Sequence, residues 1–262
     1  MAGSSANWFR PTAGAVRGQK IFIRNATLQS LGMTRQQALQ ALEANDKTVF
    51  KAVANQTPLT GVARSKADAR LKPGTDKKAL ASKRTGVEFR RGDSSADGNV
   101  LNGVPISHVS SRSWKRHRDK KINEPPWPKG KRAAGKRQAT GVIVMEPDGR
   151  MWVYKPSMNY AGYENTFSGG GLEKGLSPQQ NARKEAREEM GLDVEITGYL
   201  GDVTTKRDVR RYYIAKRKGG TPADATWEAE SVRLIPPGEA DDYLNKPLDK
   251  KLLAMMRQQK II

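Results

Sequence analysis

Three glutamates, Glu185, Glu188 and Glu189, are the side chains of this chain best placed for chemistry. They fall in the stretch SPQQNARKEAREEMG, Ser177–Gly191. At about 100° per residue they occupy roughly a third of a helix circumference, and Glu185 and Glu189 stand one turn apart. Like charges this close repel by a few tenths of a kcal/mol per exposed pair, and by more when buried. A divalent cation reverses that penalty, and adjacent carboxylates are a usual way of holding Mg²⁺ against a substrate's phosphates. An exposed, charge-rich helix face is the ordinary alternative, because Lys184 and Glu188 also stand at i,i+4. The run Gly169-Gly170-Gly171 just before the helix adds a second element. Backbone without side chains can approach an ion closely and offer it a carbonyl.

The helix that must carry these groups is marked at both ends. Ser177 is a good N-cap, Pro178 suits the first helical position, and Gln180 completes a capping box. Gly191 suits the left-handed residue that ends a helix. The expected helix therefore runs from Pro178 to Met190.

Gly run and glutamates together resemble the Nudix box, G-x5-E-x7-R-E-U-x-E-E-x-G-U with U aliphatic. Gly170 matches its first Gly, Glu185 its single Glu, Glu188-Glu189 its Glu pair, and Gly191-Leu192 its end. Leu176 stands where the box has its first Glu, Lys184 where it has Arg, and Ala186 is a small stand-in for an aliphatic residue. Lys184 keeps the charge but loses the planar fork.

The resemblance implies hydrolysis of the pyrophosphate bond of a nucleoside diphosphate linked to another moiety, such as an ADP-ribose-like compound, a dinucleotide or a capped RNA 5′ end. It implies Mg²⁺ or Mn²⁺ as cofactor, held by Glu185, Glu188, Glu189 and the Gly170 carbonyl. Glu188 and Glu189 are then catalytic, joined by an acid from a late loop. Glu228 is preferred there over Glu230. Candidate substrate contacts are Gly169 and Gly170, Phe167 for a base, and Lys206 and Arg211 for phosphates. Tyr154, Tyr163, Tyr212 and Tyr213 are further aromatics that could stack, or could equally be core. A catalytically weakened Nudix-fold module acting by binding is the alternative, with Leu176 and Lys184 as its support.

Around this site the chain changes texture. Thr140–Ser157 reads as a β-hairpin turning at Pro147-Asp148-Gly149. Strands are expected at 194–200, 211–215 and 231–235, and a closing helix at 241–259. Such a pattern fits an α/β fold, a Nudix-like α/β/α sandwich with a mixed sheet, over 138–262. Earlier, a strand is expected at 20–25 and helices at 34–44 and 47–54, with Thr34 and Gln37 as a capping box. From 57 to 102 the sequence is polar with little to bury. Residues 112–137 read as a basic linker made extended by Pro125, Pro126 and Pro128.

Charge follows the same division. The net charge of the 262 residues is +20. Residues 1–137 hold 28 Lys/Arg against 9 Asp/Glu, while 138–262 hold 19 against 18. The first region is thus expected to be basic and partly disordered, and to offer RNA or another polyanion a binding arm. Trp114 and Trp127, among many cations, could stack bases. No cysteine is present, which excludes disulfides and thiol catalysis. The two histidines, His108 and His117, lie outside the second region, so a metal there must be held by oxygen. No apolar stretch is long enough to span a membrane, and the first residues lack the apolar core of a secretory signal, so the cytoplasm is the expected compartment.

Overall fold

The computed structural model describes residues 8–9, 21–23, 25–44, 46–55, 67–110, 118–130, 133–157 and 164–262. Two compact units are present, Met1–Ala63 with Ser157–Gly162, and Arg64–Pro156 with Tyr163–Ile262.

In the first unit, β1 (Trp8–Phe9) pairs antiparallel with β2 (Ile21–Phe22). Three helices follow, α1 (Asn25–Leu31), α2 (Arg35–Glu43) and α3 (Lys47–Asn55). The expected capping box at Thr34 and Gln37 opens α2, and α3 matches the second expected helix. Helix α1 was not expected; its buried Leu28 joins Ile23, Ala38, Leu42, Val49 and Val53 in a small interior.

The second unit is built on an eight-stranded mixed sheet. Its first elements are β3 (Lys72–Pro73), α4 (Lys77–Ala81) and β4 (Val87–Arg90), then a small hairpin of β5 (Val100–Leu101) and β6 (Val104–Pro105). Next come β7 (Arg137–Met145), β8 (Met151–Pro156), β9 (Ser168–Gly171), α5 (Pro178–Met190), β10 (Leu192–Thr204), β11 (Asp208–Gly220) and β12 (Ala229–Ile235). Helices α6 (Ala240–Tyr243) and α7 (Pro247–Gln258) close the chain. The single closing helix expected over 241–259 is thus two, because Pro247 opens a new helix rather than continuing one. Strand order is β10-β11-β7-β8-β12-β4-β3, with β9 also on β7. The β11–β7 and β3–β4 pairs are parallel and the others antiparallel.

Each face of this sheet is covered by one long helix, which is the expected α/β/α sandwich. Ala182, Ala186 and Met190, spaced four apart on α5, pack with Val142, Val144 and Tyr213. On the other face Leu248, Leu252, Leu253 and Met256 of α7 pack with Ile143, Val153 and Tyr212. Each buried Val, Leu, Ile or Met among these contributes about 1.5–3 kcal/mol by leaving water, and each alanine methyl about 0.8 kcal/mol. The sheet also makes an opening for the site. Strand β7 gives residues 139–142 to β9 but residues 144–145 to β8, so two different strands share one edge.

Residues 67–110 belong to this unit, although their sequence offered little to bury. Val87, Phe89, Leu101 and Ile106 enter the core, and Phe89 packs on Trp152 with ring centroids 5.3 Å apart. Three buried arginines hold the segment in place. Arg150 donates to the carbonyls of Ala79, Leu80 and Thr85. Arg217 donates to those of Leu101, Val104 and Pro105, and Arg233 binds Asp68 and Glu88. Each guanidinium is itself balanced by a carboxylate, Asp148, Glu146 or Asp68. Polar backbone is therefore satisfied inside the protein rather than by water. These bonds tie residues 68–105 to the strands of the second unit.

The Pro-rich segment is also engaged. Asp119 pairs with Arg183, and Lys120 exchanges two hydrogen bonds with Gln179, so residues 118–120 lie along α5. Glu124 then accepts from the Tyr213 hydroxyl and from Arg211. Trp127 lies 4.4 Å from the Arg211 guanidinium. Trp114 and His117 are outside the described residues.

Candidate active site

Helix α5 is held by its own caps. The Ser177 hydroxyl accepts from the Gln180 N–H at 3.1 Å, and the Gln180 side chain accepts from the Ser177 N–H at 2.9 Å. Gly191 ends the helix at φ 69°, where a Cβ would strike the Thr221 carbonyl, so only glycine fits. With the Ala182-Ala186-Met190 stripe locked on the sheet, Glu185 and Glu189 turn toward β9.

Their carboxylates meet that strand differently. A Cβ at Gly170 would stand 2.5 Å from Glu185 Oε2, so the acid occupies the space a side chain would need. Glu189 enters the opening between β8 and β9. It accepts from the Tyr154 hydroxyl at 2.5 Å, the Ser168 hydroxyl at 2.7 Å and the Gly169 N–H at 2.7 Å. Tyr154 and Ser168 therefore belong to the site. Their sequence positions, on a strand and at the head of the Gly run, gave no sign of this contact.

Electrostatics mark the same place. Burial, then the charges of Glu189 and Glu228, push the Glu185 carboxyl well above the ordinary carboxylate range. Burial also raises Glu189, against the pull of its three hydrogen bonds. Burial and the neighbouring Glu189 push the Tyr154 hydroxyl well up as well. Glu228 acts on both Glu185 and Tyr154, whereas Glu230 is paired with Lys155 at 2.9 Å. The loop carrying Glu228 is tied to α5, since the Thr226 N–H donates to the Glu188 carbonyl at 2.7 Å.

Glu188 is turned elsewhere. Its carboxylate is bound by Lys184 at 2.5 Å, and Lys184 also reaches Glu173 at 3.2 Å. Glu173 thus brings a loop carboxylate to Lys184, although Leu176 holds the box's usual acidic position. Among the described residues no three His, Asp or Glu side chains stand close enough to form a ready-made metal site. The arrangement is a pair of buried acids under a glycine strip, with a third acid nearby.

Residues 135–257 match the family model described as NUDIX domain. The C-terminal part of this chain is a Nudix domain. Its box is the β9–α5 segment just described. Solved structures similar to it include a NUDIX hydrolase from Nitrosomonas europaea, at 13% identity and TM-score 0.41, covering 48% of this chain and 90% of that one. An ADP-ribose pyrophosphatase from Streptococcus suis is 20% identical at TM-score 0.39, covering 47% and 91%. An Ap4A hydrolase from C. elegans is 16% identical at TM-score 0.38, covering 48% and 98%. No curated protein matches the chain.

Within the Nudix domain the other expected contacts are dispersed. Gly169 and Gly170 line the acids, but Phe167 is 1% exposed and packed in the core on the α7 side of the sheet. Arg211 is buried and bound at both ends by Asp202, with Glu124, the Pro125 carbonyl and Trp127 completing its shell. Neither has a face left for substrate, because each is already packed or paired. Lys206 is exposed in the turn between β10 and β11. Tyr212 is core, Tyr213 is bonded to Glu124, and Tyr163 lies outside the described residues. Among the described residues no helix is long and apolar enough to cross a membrane.

Proposed function

We propose that the Nudix domain hydrolyses the pyrophosphate bond of a nucleoside diphosphate linked to another moiety, using Mg²⁺ or Mn²⁺. The observation that carries this reading is the buried pair Glu185 and Glu189 beside Gly170, with Glu228 acting on Glu185. Like charges gathered out of water are costly unless a cation joins them. Donors that are all oxygen fit a hard divalent ion. Glu185 and Glu189 would hold it, with the Gly170 carbonyl as a further donor. A bound divalent ion supplies the positive charge needed as charge builds on the pyrophosphate oxygens.

The remaining roles fall to this chain's own groups. Tyr154, Ser168 and the Gly169 N–H keep Glu189 in place. Lys184 holds Glu188 at the edge of the site, as a supporting group rather than a first ligand. Glu228 accepts the proton as a water oxygen bonds to one phosphorus. The bond from that phosphorus to the bridging oxygen breaks, and the second phosphate leaves with the electron pair. Lys206 is the cation assigned to the substrate's phosphates.

The test is a panel of ADP-ribose, dinucleoside polyphosphates and capped RNA with the full chain, with Mg²⁺ or Mn²⁺ and again with a chelator. Metal-dependent release of a nucleoside monophosphate or diphosphate is the expected result. The engagement of Glu188 by Lys184 favours, as a second reading, a weakened domain that binds without turning over. Absence of cleavage across the panel, with binding retained, selects that second reading.

A further inference from the structure

The edge of the sheet formed by β3, α4 and β4 carries an unusual division of charge. Between Lys72 and Arg91 there are seven basic and two acidic residues. Both acids are used inside the fold. Asp76 caps α4 through the N–H groups of Lys78 and Ala79, and Glu88 binds Ser231 and Arg233. Asp93, just beyond, caps the short turn at 94–96. Lys72, Lys77, Lys78, Lys83, Arg84 and Arg90 are all exposed, and none makes an ion pair among the described residues. Elsewhere in the same unit several exposed cations are paired, as in Lys120–Glu195, Lys216–Glu195 and Arg257–Asp241.

Other features narrow what could neutralise this edge. A cleft of about 360 Å³ is lined by Lys72 and Arg90, by Thr75 and Ser95, and by two acids that the fold already engages, Glu88 through Ser231 and Arg233 and Asp93 through the Ser95 N–H. Among the described residues the one exposed large hydrophobic is Val100, outside this segment. A protein partner normally needs an apolar centre, and stable attachment to a membrane surface takes an inserted apolar face or lipid chain beside the charges. This edge has neither. Cations with hydroxyl donors and no apolar patch match a phosphodiester backbone, whose binding is driven by release of counterions.

We infer that the β3–α4–β4 edge binds the phosphate backbone of a polynucleotide. The contact is to backbone rather than to bases, so it is insensitive to sequence and strongly dependent on salt. It does not require the hydrolase reading to be correct.

The experiment uses the full chain and a labelled single-stranded RNA of mixed sequence, with a matching DNA and anionic phospholipid vesicles as parallel arms. Binding is followed by fluorescence anisotropy over a salt series. The test variant carries Lys77→Gln, Lys78→Gln, Lys83→Gln and Arg84→Gln. The comparison variant carries Lys250→Gln and Lys251→Gln on the exposed side of α7. Four lost contacts should weaken RNA binding about tenfold or more at low salt and lower the salt slope by about 3, at roughly 0.7 per contact. The comparison variant should bind as wild type does. A melting temperature equal to wild type shows that the test variant is folded; if it is not, Lys83→Gln with Arg84→Gln alone should still lower the slope by about 1.4. Wild-type affinity in the folded test variant overturns the inference. So does no polynucleotide binding at low salt, or tighter binding to the vesicles than to RNA or DNA.

Discussion

The Glu185 carboxylate occupies the space that a side chain at Gly170 would fill, with Oε2 2.5 Å from the position of that missing Cβ. Gly170 is not in the left-handed region, so alanine can adopt its backbone. Gly170→Ala should therefore fold while displacing Glu185. We expect turnover to fall by about 100-fold, the scale of losing one well-placed charge-stabilising group, with the melting temperature little changed. Steady-state kinetics beside thermal unfolding check this; unaltered turnover would mean that Glu185 need not be where it is.

Burial, Glu189 and Glu228 raise Glu185 above its ordinary value of 4.5. Over the window above that value the folded state keeps a proton that the unfolded state has released. Stability from the protonated form is full below the ordinary value and is lost as pH rises through the folded one. Metal-free Glu185→Gln, neutral throughout, should melt above wild type near about pH 8 and approach it near about pH 4.5. Added Mg²⁺ should raise the wild-type melting temperature at the higher pH and leave the variant unmoved. Melting curves on a pH and Mg²⁺ grid give the answer, and a gap that widens toward acid pH contradicts it.

Tyr154 holds Glu189 by one of three hydrogen bonds. Tyr154→Phe keeps the ring and removes only the donor. As a positioning change it should lower kcat roughly tenfold with little effect on KM. Glu189→Gln is a harsher change, because one amide oxygen must serve three donors and its NH₂ would face them. It should lose stability as well as turnover, which makes Glu185 the cleaner residue for assigning chemistry.

Arg150 is fully buried and bridges Asp148 to three carbonyls at 79–85. Arg150→Met takes the guanidinium donors from Asp148 and those carbonyls, leaving Asp148 with Asn102 and the backbone N–H of residue 150. About 3–5 kcal/mol of stability should be lost, the usual cost of breaking a buried pair. Urea unfolding measures the loss, and amide exchange should show protection falling first in α4. A loss under about 1 kcal/mol would show that water replaces the guanidinium.

The parts of the fold legible in the sequence were those encoded locally. Ser177, Gln180 and Gly191 mark the ends of α5 without help from any other element, and Thr34 does the same for α2. The glutamate spacing follows from helical geometry alone. What the sequence did not show depends on contacts far along the chain. Residues 67–106 look polar, yet they are anchored by Arg150, Arg217 and Arg233 from distant strands. Arg211 read as a phosphate contact because its partners, Asp202 and Glu124, come from β10 and from the Pro-rich segment. The role of Tyr154 depends on how β7 divides its edge between β8 and β9, which no local pattern records.

The central claim is that Glu185 serves a metal-dependent hydrolysis. Its most direct test is the Mg²⁺-dependent rate of cleavage of the best panel substrate by wild type and by Glu185→Gln at matched concentration. The account predicts a loss of about 100-fold or more in a variant that melts no lower than wild type. Turnover within a few-fold of wild type, in the folded variant, would contradict it.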